Sequence, residues 1–252
     1  MAWQLYEAGF GYDFIGGFLF FDRLGSIMRA AQNELDYNVC QTGNRKELLV
    51  KKSQDGFSAK INDDYFYLSQ IEPTGIDCFR GEIKKWLPIV VGAINPLSFE
   101  KSKIILDYVL PMTSKDEVFS KLLCIESLPF ADIAQKTGFD KLMQNVNFVF
   151  RSGSTLVECS FFGRAFNIPT PSRQSLDFFN TRRQDELNTK SLLQKQTHAG
   201  IEFSWAIGLK VSAIEETPPV PSSENNFAFE RIIRLMQIAE KFHDSARKVL
   251  KK

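Results

Sequence analysis

The triplet Glu82-Ile83-Lys84, with Asp63-Asp64 upstream, is the arrangement in the chain that comes nearest to a catalytic one. Two carboxylates can hold a Mg²⁺ ion while a lysine steadies the attacking water, which is the chemistry of a restriction-like nuclease. Asp64, Glu82 and Lys84 are therefore the candidate nuclease residues. The triplet falls on a predicted helix, however, where Ile83 faces inward and Glu82 and Lys84 face solvent, as in an ordinary charged surface. Metal chemistry has little else to draw on. His198 and His243 are the only histidines, and neither has a partner at ligand spacing. Cys40, Cys78, Cys124 and Cys159 are scattered without a CxxC pair and read as buried free thiols. Gly9-Phe10-Gly11 and Gly16-Gly17 precede a helix, but no Gly-Lys-Ser/Thr follows and the dinucleotide spacing fails. No metal, no cofactor and no catalytic set is expected.

Binding has more to work with. From Ile168 to Ala199 the chain is polar, opens on Pro169 and Pro171, and is too long for an ordinary connection. Phe178 and Phe179 lie beside Arg182 and Arg183, with Lys190 and Lys195 beyond. Aromatic rings next to cations suit a protein partner, or bases and phosphates. A second basic run, Arg231 to Lys252, belongs to the last helix, where a cationic C-terminus follows from the helix dipole alone.

Bulk composition narrows the classes. Lys and Arg number 31 against 30 Asp and Glu, a formal charge of +1, so nothing global favours a nucleic acid or a membrane. The 23 phenylalanines, against 6 Tyr and 3 Trp, favour buried cores or apolar grooves. The opening MAWQLYEAGFGYD lacks a basic segment before its apolar one, and no apolar run is long enough to span a bilayer. A cytoplasmic protein is expected.

Positioning elements follow from periodicity. Leu5–Phe14 alternates as a strand, and Leu24, Ile27, Met28, Ala31 and Leu35 mark a helix over 20–35. Glu47–Lys52, Phe57–Ile61 and Tyr65–Ile71 form a meander with turns at Asp55-Gly56 and Asn62-Asp63. A helix over 76–94 carries Pro88, which predicts a kink. After Asn95-Pro96 come a strand over 104–110 stopped by Pro111, a helix capped by Thr113 or Ser114, and a short helix over 129–136. A hairpin over 145–166 turns at Gly153, with Phe148, Phe150, Cys159 and Phe161 predicted as core. A strand over 200–213, a Pro/Ser linker and a long helix over 226–250 complete the chain.

The fold expected is α+β, with two antiparallel-sheet-plus-helix halves in helix-grip-like layers, 1–95 and 96–252, the second holding the 168–199 loop. The terminal helix is expected to cover the hairpin. DGFSAKINDDYFYLSQ followed by FRGEIKKWLPIV, then KIILDYVLP, then FAFERIIRLMQIAEKFHDSARKVL resemble a sporadically distributed prokaryotic family of conserved uncharacterised proteins of similar length. They stand in the places of its strand pair with a Trp-containing helix, its central strand and its terminal helix. That family's Arg-rich central strand is absent, with Lys103 and Asp107-Tyr108 there instead. The resemblance implies no catalytic residues, and an accessory protein of a variable genomic neighbourhood linked to phage defence. The function expected is non-catalytic binding or assembly with a protein partner, homo-oligomers included. The alternatives are a nucleic-acid-binding or Mg-dependent nuclease component and a carrier holding an apolar ligand between helix and sheet.

Overall fold

In a computed structural model the described residues are 3–43, 47–52, 54–123, 143–165, 205–221 and 225–249. They form β1 (Gln4–Ile15), α1 (Phe20–Asn33), β2 (Val39–Gly43), β3 (Glu47–Lys52), β4 (Phe57–Ile61), β5 (Tyr65–Ile71) and α2 (Ile76–Ile94). The second half supplies β6 (Ser98–Met112), α3 (Lys115–Leu123), β7 (Met143–Ser152), β8 (Thr155–Ala165), β9 (Trp205–Pro221) and α4 (Asn225–Val249). The class is α+β. The nine strands make one antiparallel sheet in the order β2-β3-β4-β5-β1-β6-β9-β8-β7.

Each half wires its strands the same way. Its first strand pairs with its own last strand, β1 with β5 and β6 with β9. The two first strands then pair with each other, Phe10 opposite Ile104 and Tyr12 opposite Ser102. That single ladder fuses the two sheets into one.

Alternation along the strands decides the layers. Ala8, Phe10, Tyr12 and Phe14 of β1 are buried, and so are Ile104 and Leu106 of β6 and Leu209, Val211 and Ala213 of β9. Helices cover this face. Trp86 of α2 lies against Phe66 of β5 and donates its indole N–H to the Tyr37 hydroxyl at 2.9 Å. Ile232, Leu235, Met236 and Ala239 of α4 are buried over β6 and β9. The opposite face is polar at its centre, with Lys103, Asp107 and Lys210 partly exposed and Glu158 exposed.

Local chemistry fixes the element ends. The Asn62 side chain accepts the N–H groups of Asp64 and Tyr65 at 2.8 and 2.7 Å, closing the β4–β5 turn. α2 stops at Asn95, whose φ of 48° is left-handed and whose N–H bonds Val91, with Pro96 following. At α3 the Ser114 hydroxyl accepts the Glu117 N–H at 3.1 Å, and the Glu117 carboxylate returns to the Thr113 N–H and hydroxyl, a capping box. The hairpin β7–β8 turns at Gly153-Ser154, between the paired Ser152 and Thr155. Gly153 has φ +58°, the first position of a two-residue loop where Gly suits the strand twist.

Several expectations are corrected. β2 was not foreseen. β6 runs through Pro111 to Met112, because beyond Val109 it pairs with β9 alone, so the missing proline N–H falls on an unpaired side. Part of the expected Pro/Ser linker is strand for the same reason: β8 pairs with β9 only as far as Glu215, and among the described residues the proline-rich end of β9 pairs with β6 alone. Cys159 is buried but Cys78 is exposed. Phe161 is buried, whereas Phe148 and Phe150 are exposed. The pleat does place both on the helix-bearing face. Among the described residues, however, α4 lies mainly over β6 and β9 and meets β7 where Phe242 touches Phe150. The expected short helix over 129–136 lies outside the described residues.

Candidate functional site: an apolar corner beside a buried ion cluster

The nuclease candidates do not converge. Asp64 is exposed at the β4–β5 turn, where its carbonyl accepts the Phe14 N–H at 2.8 Å and its charge acts on Asp13. Glu82, expected on the solvent face, is buried. It stands three residues after Phe79 and four before Trp86, inside the apolar stripe of α2. Lys85 bonds it at 3.0 Å. Its charge lies beside Tyr37, whose hydroxyl is pushed above its ordinary range first by burial. Lys84 is exposed, its ammonium 6.0 Å from the Phe229 ring centre. Among the described residues no three His, Cys, Asp or Glu side chains stand close enough to hold a metal ion. Phe178, Phe179, Arg182, Arg183, Lys190 and Lys195 lie outside the described residues.

A cavity of about 520 Å³ opens at the end of α4, lined by Tyr108, Gln237, Glu240, Lys241, His243 and Asp244. No phenylalanine is among these lining residues. His243 is stacked on Tyr108, with ring centres 3.4 Å apart, and edge-on to Trp3. Burial holds its imidazole down to about 4.

The largest chemical anomaly of the surface is where β1 ends. After Ile15 the chain turns at Gly16 (φ +75°) and Gly17, and Phe18-Leu19-Phe20-Phe21 leads into α1. Phe20 begins the helix stripe and is fully buried. Phe21, about 100° further round, is 52 % exposed, and Phe18 is 77 % exposed. Leu97, at the start of β6, donates its N–H to the Ile15 carbonyl at 2.9 Å and is 65 % exposed. Ile15 and Leu19 are exposed as well. Strand end, helix start and the first turn of the second half thus present five large apolar side chains at one corner. Charged side chains of both signs flank it in sequence, Asp13, Asp22 and Arg23 on one segment and Glu100 and Lys101 on the other.

Beneath the corner the sheet holds buried ions. Tyr12, Ser102 and Glu215 are cross-strand neighbours on β1, β6 and β9, all buried. Arg231 of α4, also buried, meets Glu215 at 3.3 Å and reaches the Ser102 hydroxyl at 3.4 Å. Arg234 closes the cluster from the solvent side with a second ion pair to Glu215. Burial raises the Tyr12 hydroxyl, and Arg231 partly offsets this. A desolvated carboxylate needs such partners. The ring of Tyr12 also lies 4.6 Å from that of Phe99, two residues beyond Leu97, so the cluster anchors both strands that form the corner.

Neither feature was among the sequence candidates. Phe21 stands three residues before Leu24 and seven before Met28, at the edge of the helix stripe, so periodicity did not announce its exposure. Arg231 precedes the apolar Ile232 and resembled the basic face of its helix, while Glu215 stood in the expected linker, so nothing in the chain paired them. No protein-family model matches the chain, and neither does any curated protein.

Proposed function

We propose that the protein is a non-catalytic binding or assembly protein that engages a protein partner through the corner formed by Ile15, Phe18, Leu19, Phe21 and Leu97. The observation that carries this reading is the exposure of Phe18, Phe21 and Leu97 at one place. Exposed apolar side chains gathered on adjoining segments mark interaction sites on proteins. The backing is stiff, because the ion cluster around Glu215 and Arg231 fixes the two strands that carry the corner, and a preorganised surface loses less entropy on binding.

The test is co-purification from the native cell of wild type, Phe18→Asp and Leu97→Asp, with circular dichroism verifying the fold. Both side chains are already largely in water, so the variants keep wild-type stability within about 0.5 kcal/mol. A protein retained by wild type and lost from both variants is the expected result. A wild-type chain that purifies alone, or a partner that both variants retain, refutes the assignment.

A further inference from the structure

At the end of the sheet farthest from β2, strand β7 pairs with β8 on one side and with no described strand on the other. Free edges invite pairing, and proteins guard them with short strands, prolines, lysines or inward-pointing charges. β7 has none of these guards. Met143–Ser152 is ten residues long, contains no Pro or Lys, and carries Arg151 as its one charge, beside the turn. Three of its apolar residues reach water: Val149 is 66 % exposed, and Phe148 and Phe150 are exposed on the helix-bearing face. Phe148 and Phe150 are held in place, with Phe148 edge-on to Phe161 of β8 and Phe150 against Phe242 of α4.

We infer that β7 is a self-pairing strand, and that two copies of the chain join edge to edge, antiparallel, about a two-fold axis at Phe148. The residue types select the occupant and the register. With the axis at Phe148, Phe148 meets its own copy, Val146 meets Phe150, Asn147 meets Val149 and Asn145 meets Arg151. Apolar residues on the helix-bearing face then oppose apolar residues, and the two arginines never face each other. Moving the axis to Asn147 sets Phe150 against Gln144. Moving it to Val149 shortens the ladder, since Ser152 then pairs with Val146. Apolar residues that meet on the helix-bearing face, with the arginines kept apart, fit a second copy of this chain. The inference does not depend on the apolar corner, which lies on other strands.

A charge swap tests it on the full-length chain. Sedimentation equilibrium of the wild type shows a monomer–dimer equilibrium. Phe148→Glu and Phe148→Lys are each monomeric, because like charges meet at the axis, and their equimolar mixture dimerises again. Hydrogen exchange of the wild type needs no variant, and shows protection along 145–151 that rises with protein concentration. A wild type that stays monomeric at every concentration overturns the inference. So does a dimer that survives in both single variants, or concentration-dependent protection elsewhere with none on β7. Phe18→Asp and Leu97→Asp leave this dimer intact, which separates its failure from that of the corner.

Discussion

His243 shows how far a single residue can depart from its usual chemistry. Its ring lies between Tyr108 and Trp3, and burial is the main cause that holds its pKa at about 4 rather than 6.5, with Asp244 opposing and Arg247 assisting. The unfolded chain takes up this proton below about pH 6.5, whereas the folded one resists until about pH 4. Its contribution to stability is therefore complete above the unfolded value and is lost as pH falls towards 4. At 1.36 kcal/mol per unit the loss amounts to about 3 kcal/mol. Glu240 nearby works with the opposite sign, since burial raises its carboxyl and favours the acid form that low pH supplies. The difference between wild type and His243→Phe isolates the imidazole. Melting temperatures taken from pH 7 to pH 4.5 fall more steeply for the wild type, and identical slopes would sink this account. Glu215 is buried on the same face of the sheet, where it meets Arg231 and Arg234.

Among the elements, the first-half strands other than β2 were legible because each carries its own signals. β3, β4 and β5 alternate, are bounded by Asp55-Gly56 and Asn62-Asp63, and pair with their sequence neighbours. α2 was equally plain, and Pro88 lies within it without ending it. What was not legible depends on distant partners. Phe148 and Phe150 were placed on the right face, but the sequence could not say that α4 would lie over β6 and β9. Pro111 and the proline-rich end of β9 read as breaks because a proline shows its missing N–H and not which side of the strand is unpaired. At the candidate site, the Phe18–Phe21 run stands in the sequence but was not among its candidates. Leu97 joins it through β6, and no spacing announces that. One close approach between neighbouring strands can be tested directly. On the helix-free face the Phe162 ring of β8 lies over Gly208 of β9, so near that an added Cβ would fall 1.9 Å from the ring. Gly208→Ala therefore costs about 1–3 kcal/mol in urea unfolding. In the background of Phe162→Ala the same substitution costs much less, and equal penalties in the two backgrounds would show that the ring is not the cause.

For the molecule as a whole, the β1–β6 ladder and the core that crosses it matter more than the division at Asn95-Pro96. Phe10, Ile104, Leu209 and Met236 belong to one buried cluster shared by both halves. Unfolding is accordingly a single cooperative transition. In a urea titration, hydrogen exchange in β3–β5 and in β8–β9 reports the same midpoint, and two separated midpoints would show that the halves are energetically independent. The position of β9 has a further consequence for how the chain is made. During translation, everything from β1 to α2 can close on itself, and β6 can add to β1 as soon as it leaves the ribosome. β9 is different: it inserts between β6 and β8, roughly a hundred residues after β6 has been made. Until it arrives, β6 keeps an open edge, and the β7–β8 hairpin has no strand joining it to the rest of the sheet. The growing chain thus passes through a long interval with two unpaired edges, and a holding chaperone or slow elongation would protect it most between the synthesis of Ala165 and that of Pro221.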